Sequence, residues 1–379
     1  MSGIYLHIPF CKRKCHYCNF YSLASLKHKE EFLDALSKEI YSRHDYLQSR
    51  KCRSIYFGGG TPSLLNPEET ERILNDVQRC FSFSVEPEIT MEVNPDDVTP
   101  EKLKEWKAMG FNRISLGVQS FFDEDLVYLN RIHNSRQSAV SSRQIFDAGF
   151  TNVSADLIFG MPTLTNEHLL ENIKHLVDLN IPHISAYALT VEPKTGLEVL
   201  IRNKKLKGPD EERILEQFRI TMEILKRNGF LHYEISNYCT DGNFSQHNSM
   251  YWSGEHYIGL GPSAHSFNGI SRQWNVASVI KYIDRLRNNE EIFEIEMLTE
   301  RQKFNEYVMT SLRTMWGCDI AKIRRDFGEE FAAGSQQSAV RFIDAGDMTE
   351  NEGILYLTDK GKLFADGIAS EMFMEEDDQ

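Results

Sequence analysis

Along the first 230 residues, short apolar runs rich in β-branched side chains alternate with longer segments whose apolar positions recur at helical spacing. Runs at 4–8, 54–57, 89–93, 113–118, 153–159 and 183–189 have the length and the polar boundaries of strands. Between and after them, 29–43, 67–80, 100–109, 136–148, 167–179 and 210–228 carry the helical period. Six strand–helix units in succession imply parallel strands joined by right-handed crossovers. The fold class expected is therefore α/β, a partial (βα)6 TIM-type barrel.

Past residue 230 the alternation fails. Stretches 233–238, 246–252 and 257–266 mix Gly, Asn, His and aromatic residues, which suits loops and short strands bordering the barrel mouth. From Leu298 the pattern turns helical, at 300–316, 319–327 and 335–344, followed by a hairpin at 348–357 and a helix at 359–372. That order predicts a small, mainly helical, winged-helix-like C-terminal domain. The expected division is 1–230 for the barrel, 231–297 for the flanking segment and 298–379 for the C-terminal domain, ending in a frayed acidic tail, Glu375–Gln379.

The unusual residues fall where such a barrel builds its sites. Cys11 to Cys18 follows the first strand and Gly58-Gly59-Gly60-Thr61-Pro62 the second; Glu92 ends the third, Gln119 the fourth, and Asp156 to Pro162 the fifth. All are at C-terminal strand ends, the face on which parallel barrels carry their chemistry. The glycine run suits close approach of a charged ligand to backbone amides, although a tight turn would use the same residues.

Charge narrows the partners. Lys and Arg number 42 against 56 Asp and Glu, a net charge of -14, which disfavours phosphate backbones and argues against a nucleic-acid partner. Neither a signal peptide nor an apolar run long enough to span a bilayer is apparent, so the expected location is cytoplasmic, with any membrane contact peripheral.

Three of the seven cysteines, Cys11, Cys15 and Cys18, fall within eight residues. Soft thiolates select zinc, copper(I) or iron–sulfur centres. A closed zinc site or an all-cysteine [4Fe-4S] cluster takes four protein ligands, so three leave a position open. The competing arrangement is a Cys3His zinc site using His16, whose adjacency to Cys15 wraps one ion poorly. Cys52, Cys80, Cys239 and Cys318 are isolated and expected to be small apolar fillers.

The spacing Cys-x3-Cys-x2-Cys is similar to that of the radical S-adenosylmethionine (SAM) superfamily. More of the chain resembles one branch of it. Tyr5-Leu-His-Ile-Pro-Phe-Cys11, Tyr56-Phe-Gly-Gly-Gly-Thr-Pro-Ser63, Glu92-Val-Asn-Pro95, Arg113-Ile-Ser-Leu-Gly-Val-Gln-Ser-Phe121, Asp156-Leu-Ile-Phe-Gly160 and Ser185-Ala-Tyr-Ala-Leu-Thr190 are similar to the oxygen-independent coproporphyrinogen III oxidases and their HemW relatives, radical SAM proteins of haem metabolism. The resemblance implies a [4Fe-4S] cluster on Cys11, Cys15 and Cys18, and SAM contacts at Tyr5, Tyr17, Gly59, Gly60, Thr61, Glu92, Gln119, Arg131 and Asp156. An arginine suits the SAM carboxylate and acids suit its amine or ribose hydroxyls. The bland alternatives are a buried polar network for Glu92, Gln119 and Asp156, and a helix-surface salt bridge for Arg131.

Two features favour the HemW side of that resemblance. Phe20 stands where the oxidases carry a further cysteine, and His247-Asn-Ser-Met-Tyr-Trp252 matches a His-Asn-x-x-Tyr-Trp pattern of the haem chaperones. The short stretch before the first strand also contrasts with the oxidases' longer N-terminal extension. The implied function is haem binding and delivery to apo-proteins such as membrane-bound respiratory enzymes, with a reducing electron donor for the cluster. His247 is the expected haem ligand, exposed enough to release its cargo, and His265 the second candidate. The alternative is the oxidase itself, decarboxylating coproporphyrinogen III to protoporphyrinogen IX, so the chain's standing as an enzyme stays open.

Overall fold

The computed structural model describes residues 2–374 apart from Gln48, Arg50 and Asp241. The expected acidic tail lies outside the described residues. Six parallel strands, β1 (Ser2–Ile8), β2 (Lys51–Gly59), β3 (Ser82–Val93), β4 (Arg113–Gln119), β5 (Asn152–Phe159) and β6 (His183–Ala188), are hydrogen-bonded in sequence order. Helices Lys29–Ser42, Pro67–Cys80, Pro100–Ala108, Ser135–Asp147, Asn166–Asp178 and Glu211–Arg227 follow them. Asn66, Thr99, Asn134, Thr165 and Asp210 start five of these helices, each side chain accepting from the backbone N–H three residues on.

Strand alternation gives the barrel two different faces. Ile4, Leu6 and Ile8 of β1, Ile55 and Phe57 of β2, and Ile89, Met91 and Val93 of β3 are buried in the apolar core. The intervening positions are Gly3, Tyr5 and His7, then Ser54, Tyr56 and Gly58, then Glu88, Thr90 and Glu92. Polar and aromatic groups thus line the interior.

The sheet runs on past both ends of the six. Among the described residues it has twelve strands: β7 (Leu231–Glu234) and β8 (Asn237–Cys239) extend it beyond β6, while β9 (Tyr257–Leu260), β10 (His265–Phe267), β11 (Ser271–Asn275) and β12 (Phe293–Met297) extend it beyond β1. A buried ionic cluster ties this second extension to helix Lys29–Ser42. Glu39 Oε1 accepts from Arg43 Nη1 at 2.8 Å and Asn275 Nδ2 at 2.7 Å; Oε2 accepts from Gly261 N at 2.7 Å and the Tyr282 hydroxyl at 2.5 Å. Arg43 also donates to Gln273 Oε1 at 2.6 Å.

The C-terminal part has the winged-helix order: helix Glu300–Leu312, β13 (Cys318–Asp319), helices Ile320–Phe327 and Glu329–Asp344, then the hairpin β14 (Met348–Asn351) and β15 (Ile354–Leu357). Phe304, Val308, Ile323, Leu355 and their neighbours form its own apolar cluster.

Several local expectations need correction. Residues 246–252 form no loop or strand but the helix Gln246–Ser253, capped by the Ser245 side chain and ended by Gly254 in the left-handed conformation. Its composition lacks an amphipathic stripe, which is why periodicity missed it. Helix Val279–Asn288 and the short helices Asp123–Tyr128 and Gly196–Arg202 were also not anticipated. The expected helix 359–372 is instead a turn, Gly361–Phe364, leading into Ala365–Glu371.

Candidate active site

Beyond β1 the chain makes a closed excursion. Cys11 N–H donates to the Leu23 carbonyl at 2.9 Å and Leu23 N–H to the Pro9 carbonyl at 2.7 Å, so the loop returns to its own base. Its far side is fixed by His16 N–H to the Leu129 carbonyl at 3.1 Å, Leu197 N–H to the His16 carbonyl at 2.7 Å, and Asn130 Nδ2 to the Lys14 carbonyl at 2.9 Å. This frame presents Cys11, Cys15 and Cys18, all partly exposed and unoxidised, to a cavity of about 820 Å³ at the barrel mouth.

The thiols are poor metal-free neighbours. Burial, with Cys15 and Cys11 alongside, pushes the Cys18 thiol up to about 11, and burial raises Cys11 against the polar Thr61 and Ser22 side chains nearby. A positive metal centre would reverse that balance by favouring the thiolates. Among the described residues, no three His, Cys, Asp or Glu side chains converge as ligands of one ion. A cubane places each thiolate on a different iron, so three spread cysteines around one cavity fit it better than they fit zinc. His16 is committed elsewhere, its Nδ1 lying 3.1 Å from the Tyr128 carbonyl oxygen.

Most of the other expected site residues share this cavity: Tyr17, Gly59, Gly60, Thr61, Glu92, Gln119, Arg131 and Asp156 line it. Arg131 makes no surface salt bridge. It points inward, Nη2 donating to Asn94 Oδ1 at 2.6 Å and the Gly117 carbonyl at 2.8 Å, with Nη1 3.5 Å from Cys15 Sγ and Nε buried without a partner. A guanidinium with a buried donor to spare beside the cysteines suits a ligand carboxylate. Gln119 takes a positive φ of 65° at the end of β4, which turns the chain at the cavity wall.

Glu92 is raised to about 7 by burial first, with the nearby Asp156 adding, against the polar Tyr56 hydroxyl and Gly59 N–H nearby. Asp156 is raised to about 6 by burial, against Ser185, Arg131 and Arg113. Each is therefore both part of a buried polar network and aimed at the cavity. The native state holds the Glu92 proton up to about pH 7, whereas an unfolded glutamate releases it near 4.5. Between those values the native state binds more protons, so its stability falls as pH rises. Cluster-free protein should lose roughly 2–3 kcal/mol between pH 4 and 8 from this group. Glu92→Gln should flatten the slope, and denaturant melts across that pH range measure it; equal slopes would show that Glu92 ionises normally.

The glycine run has a packing explanation. A Cβ on Gly60 would lie 2.6 Å from the Phe10 carbonyl oxygen and 2.8 Å from that of Ile8, and one on Gly59, at φ 104°, 2.7 Å from the His7 ring. β2 thus lies flat against the root of the cysteine loop. Gly60→Ala must move that backbone, at about 1–3 kcal/mol, and should lower the iron content after reconstitution. Normal iron content would show that the loop root can yield.

Of the other three expected residues, Tyr5 lies beside the cavity wall: a Cβ on Gly58 would be 2.9 Å from Tyr5 Cε2 and 3.0 Å from Glu92 Oε1, and the Tyr5 hydroxyl lies 3.2 Å from His7 Nδ1. His247 is not the exposed ligand expected: it is 1% exposed, and both ring nitrogens are bonded, Nδ1 to Ser54 Oγ at 2.8 Å and Nε2 to the Tyr251 hydroxyl at 2.9 Å. Burial lowers its pKa to about 3. His265 is exposed on β10 beside Trp274, away from the cavity. Residues that sequence reasoning missed include Arg113 on β4 and, from the C-terminal part, Arg313, Lys362 and Phe364. Only the alternation along β4 could have placed Arg113 inside.

Residues 5–176 match the radical SAM superfamily and residues 298–364 the HemN C-terminal domain. A heme chaperone HemW of Bacillus subtilis is 33% identical over 97% of this chain and 98% of its own length. The chain belongs to the HemW family. Other relatives are the heme chaperones HemW of Mycobacterium tuberculosis H37Rv, 32% identical over 97% of this chain and 93% of that protein, and of Escherichia coli K12, 35% identical over 69% of each. The structure of coproporphyrinogen III oxidase (HemN) from Escherichia coli shares the fold, with a TM-score of 0.85, 24% identity, and coverage of 98% of this chain and 90% of that one. The family's radical SAM core accounts for the cysteine loop and the partial barrel together. No helix among the described residues is long and apolar enough to cross a membrane.

Proposed function

We propose that this protein is a haem chaperone that holds a [4Fe-4S] cluster and SAM, binds haem and passes it to apo-proteins. The observation that carries this reading is similarity to heme chaperones along 97% of the chain, through both the barrel and the C-terminal part. Cys11, Cys15 and Cys18 would hold the cluster, Arg131 the SAM carboxylate, and Glu92 or Asp156 its amine or ribose. Cluster and SAM supply one-electron chemistry when bound.

Haem is the cargo, and part of the cavity lining is chemically suited to it. Phe20, 62% exposed, and Phe364, 50% exposed, flank it with Ile214 and Phe218, giving apolar surface for a flat macrocycle. Arg313, which donates to Glu234 and Asp366, and Lys362, which pairs with Asp359, add cations for which propionates would compete with those carboxylates. The acceptors would be apo-proteins such as respiratory enzymes, met peripherally at the membrane, and a reduced electron donor would serve the cluster. The test gives the reconstituted protein SAM, a reductant and coproporphyrinogen III, and in parallel titrates it with haem. Saturable haem binding without decarboxylated product is expected; multiple turnovers would restore the oxidase.

A further inference from the structure

The buried His247 uses every polar atom it has. Besides the ring bonds to Ser54 and Tyr251, its backbone N–H donates to Glu88 Oε1 at 2.9 Å, and the Gln246 N–H donates to Glu88 Oε2 at 3.0 Å. The N-terminus of helix Gln246–Ser253 therefore rests on a carboxylate of β3, a charge that suits it. The imidazole lies nearly parallel to the Tyr56 ring, centroids 5.0 Å apart and planes 26° apart. Tyr56 and Glu92 in turn meet over Gly58, where a Cβ would lie 2.9 Å from Tyr56 Cε1 and 3.0 Å from Glu92 Oε1.

Strand register makes these contacts one unit. Ser54 and Tyr56 alternate on the inner face of β2, as Glu88 and Glu92 do on β3, so the helix docks directly beneath the Tyr56–Glu92 layer. Gly3 on β1 makes the room: a Cβ there would lie 2.5 Å from Met250 Cε and 3.3 Å from His247 Cε1.

We propose that His247 is a positioning residue, which fixes the Tyr56 ring and through it the Glu92 carboxylate at the SAM end of the cavity. This rests on the reading of Glu92 as part of the SAM site. Removing the imidazole leaves the Tyr251 hydroxyl without this partner and Ser54 with only the Met250 sulfur at 3.4 Å, and opens a void behind Tyr56, which then settles away from Glu92. Coordination of iron by His247 would break at least one of the same two bonds.

The experiment titrates SAM into reconstituted, reduced protein and follows the electron paramagnetic resonance signal of the cluster, with a haem absorbance titration on the same preparations. His247→Ala and Tyr56→Phe should each weaken SAM about tenfold, or about 1.4 kcal/mol, at unchanged iron and sulfide content. The double variant should be no weaker than Tyr56→Phe, since both act through the same Tyr56–Glu92 contact. His247→Gln, whose amide reaches the same hydroxyls, should recover most of the affinity, and it and Tyr56→Phe carry the test if the alanine variant folds poorly. Wild-type SAM affinity in His247→Ala would overturn the proposal. So would loss of haem binding in both His247 variants with SAM affinity intact, which would make the residue an iron ligand. If Glu92→Ala binds SAM as wild type does, the SAM assignment fails first and the positioning role with it.

Discussion

Cys11→Ala, Cys15→Ala and Cys18→Ala should each abolish the [4Fe-4S] cluster, leaving reconstituted protein without its iron, sulfide and visible absorption. Only three thiolates reach the cavity, and a cubane anchored at two corners exchanges its iron readily. His16, the neighbouring candidate ligand, is held by the Tyr128 carbonyl. Cys80→Ala, on a helix outside the cavity, is the control and should load normally. A triple variant of the loop with normal iron, sulfide and absorption would remove the assignment. The fold should survive all three changes, since the backbone bonds that close the loop do not involve the thiols.

Glu39→Ala should be the most destabilising single change outside the site, by about 3–5 kcal/mol, because it strands the Arg43 guanidinium in the interior. Arg43 is 8% exposed, and its remaining partners, Gln273, Asn275 and Ser266, are neutral. The Gly261 N–H and the Tyr282 hydroxyl would also lose their acceptor. Denaturant unfolding measures the loss, and Glu39→Ala paired with Arg43→Met should recover part of it by removing the stranded charge. A loss below about 1 kcal/mol would mean that water reaches the guanidinium.

The sequence made the repeating part of this fold legible because each strand–helix unit announces itself locally. Apolar runs, capping residues such as Asn66 and Asn134, and chemistry placed at strand ends all point the same way. The cysteine loop was legible from spacing alone, and Arg131, Glu92, Gln119 and Asp156 from the resemblance to known relatives. What stayed hidden depends on contacts between distant segments. Helix Gln246–Ser253 has no amphipathic period and exists because β1, β2 and β3 offer it Gly3, Ser54 and Glu88. The same contacts bury His247, so its motif singled out the residue without its surroundings. Arg313 and Lys362 carry no motif and meet the cavity only after the barrel and the C-terminal part pack together, while Arg113 stood in a quoted motif without a role.

The self-closing loop between Pro9 and Leu23 has a bearing on how the protein matures in the cell. Its backbone bonds are made between ordinary amides, so the entropy of forming the loop is met during folding of the polypeptide itself. Newly made chains should reach a protease-resistant shape first and receive their iron and sulfide afterwards. Supply of the inorganic parts would then set how much of the protein is active without deciding how much of it survives.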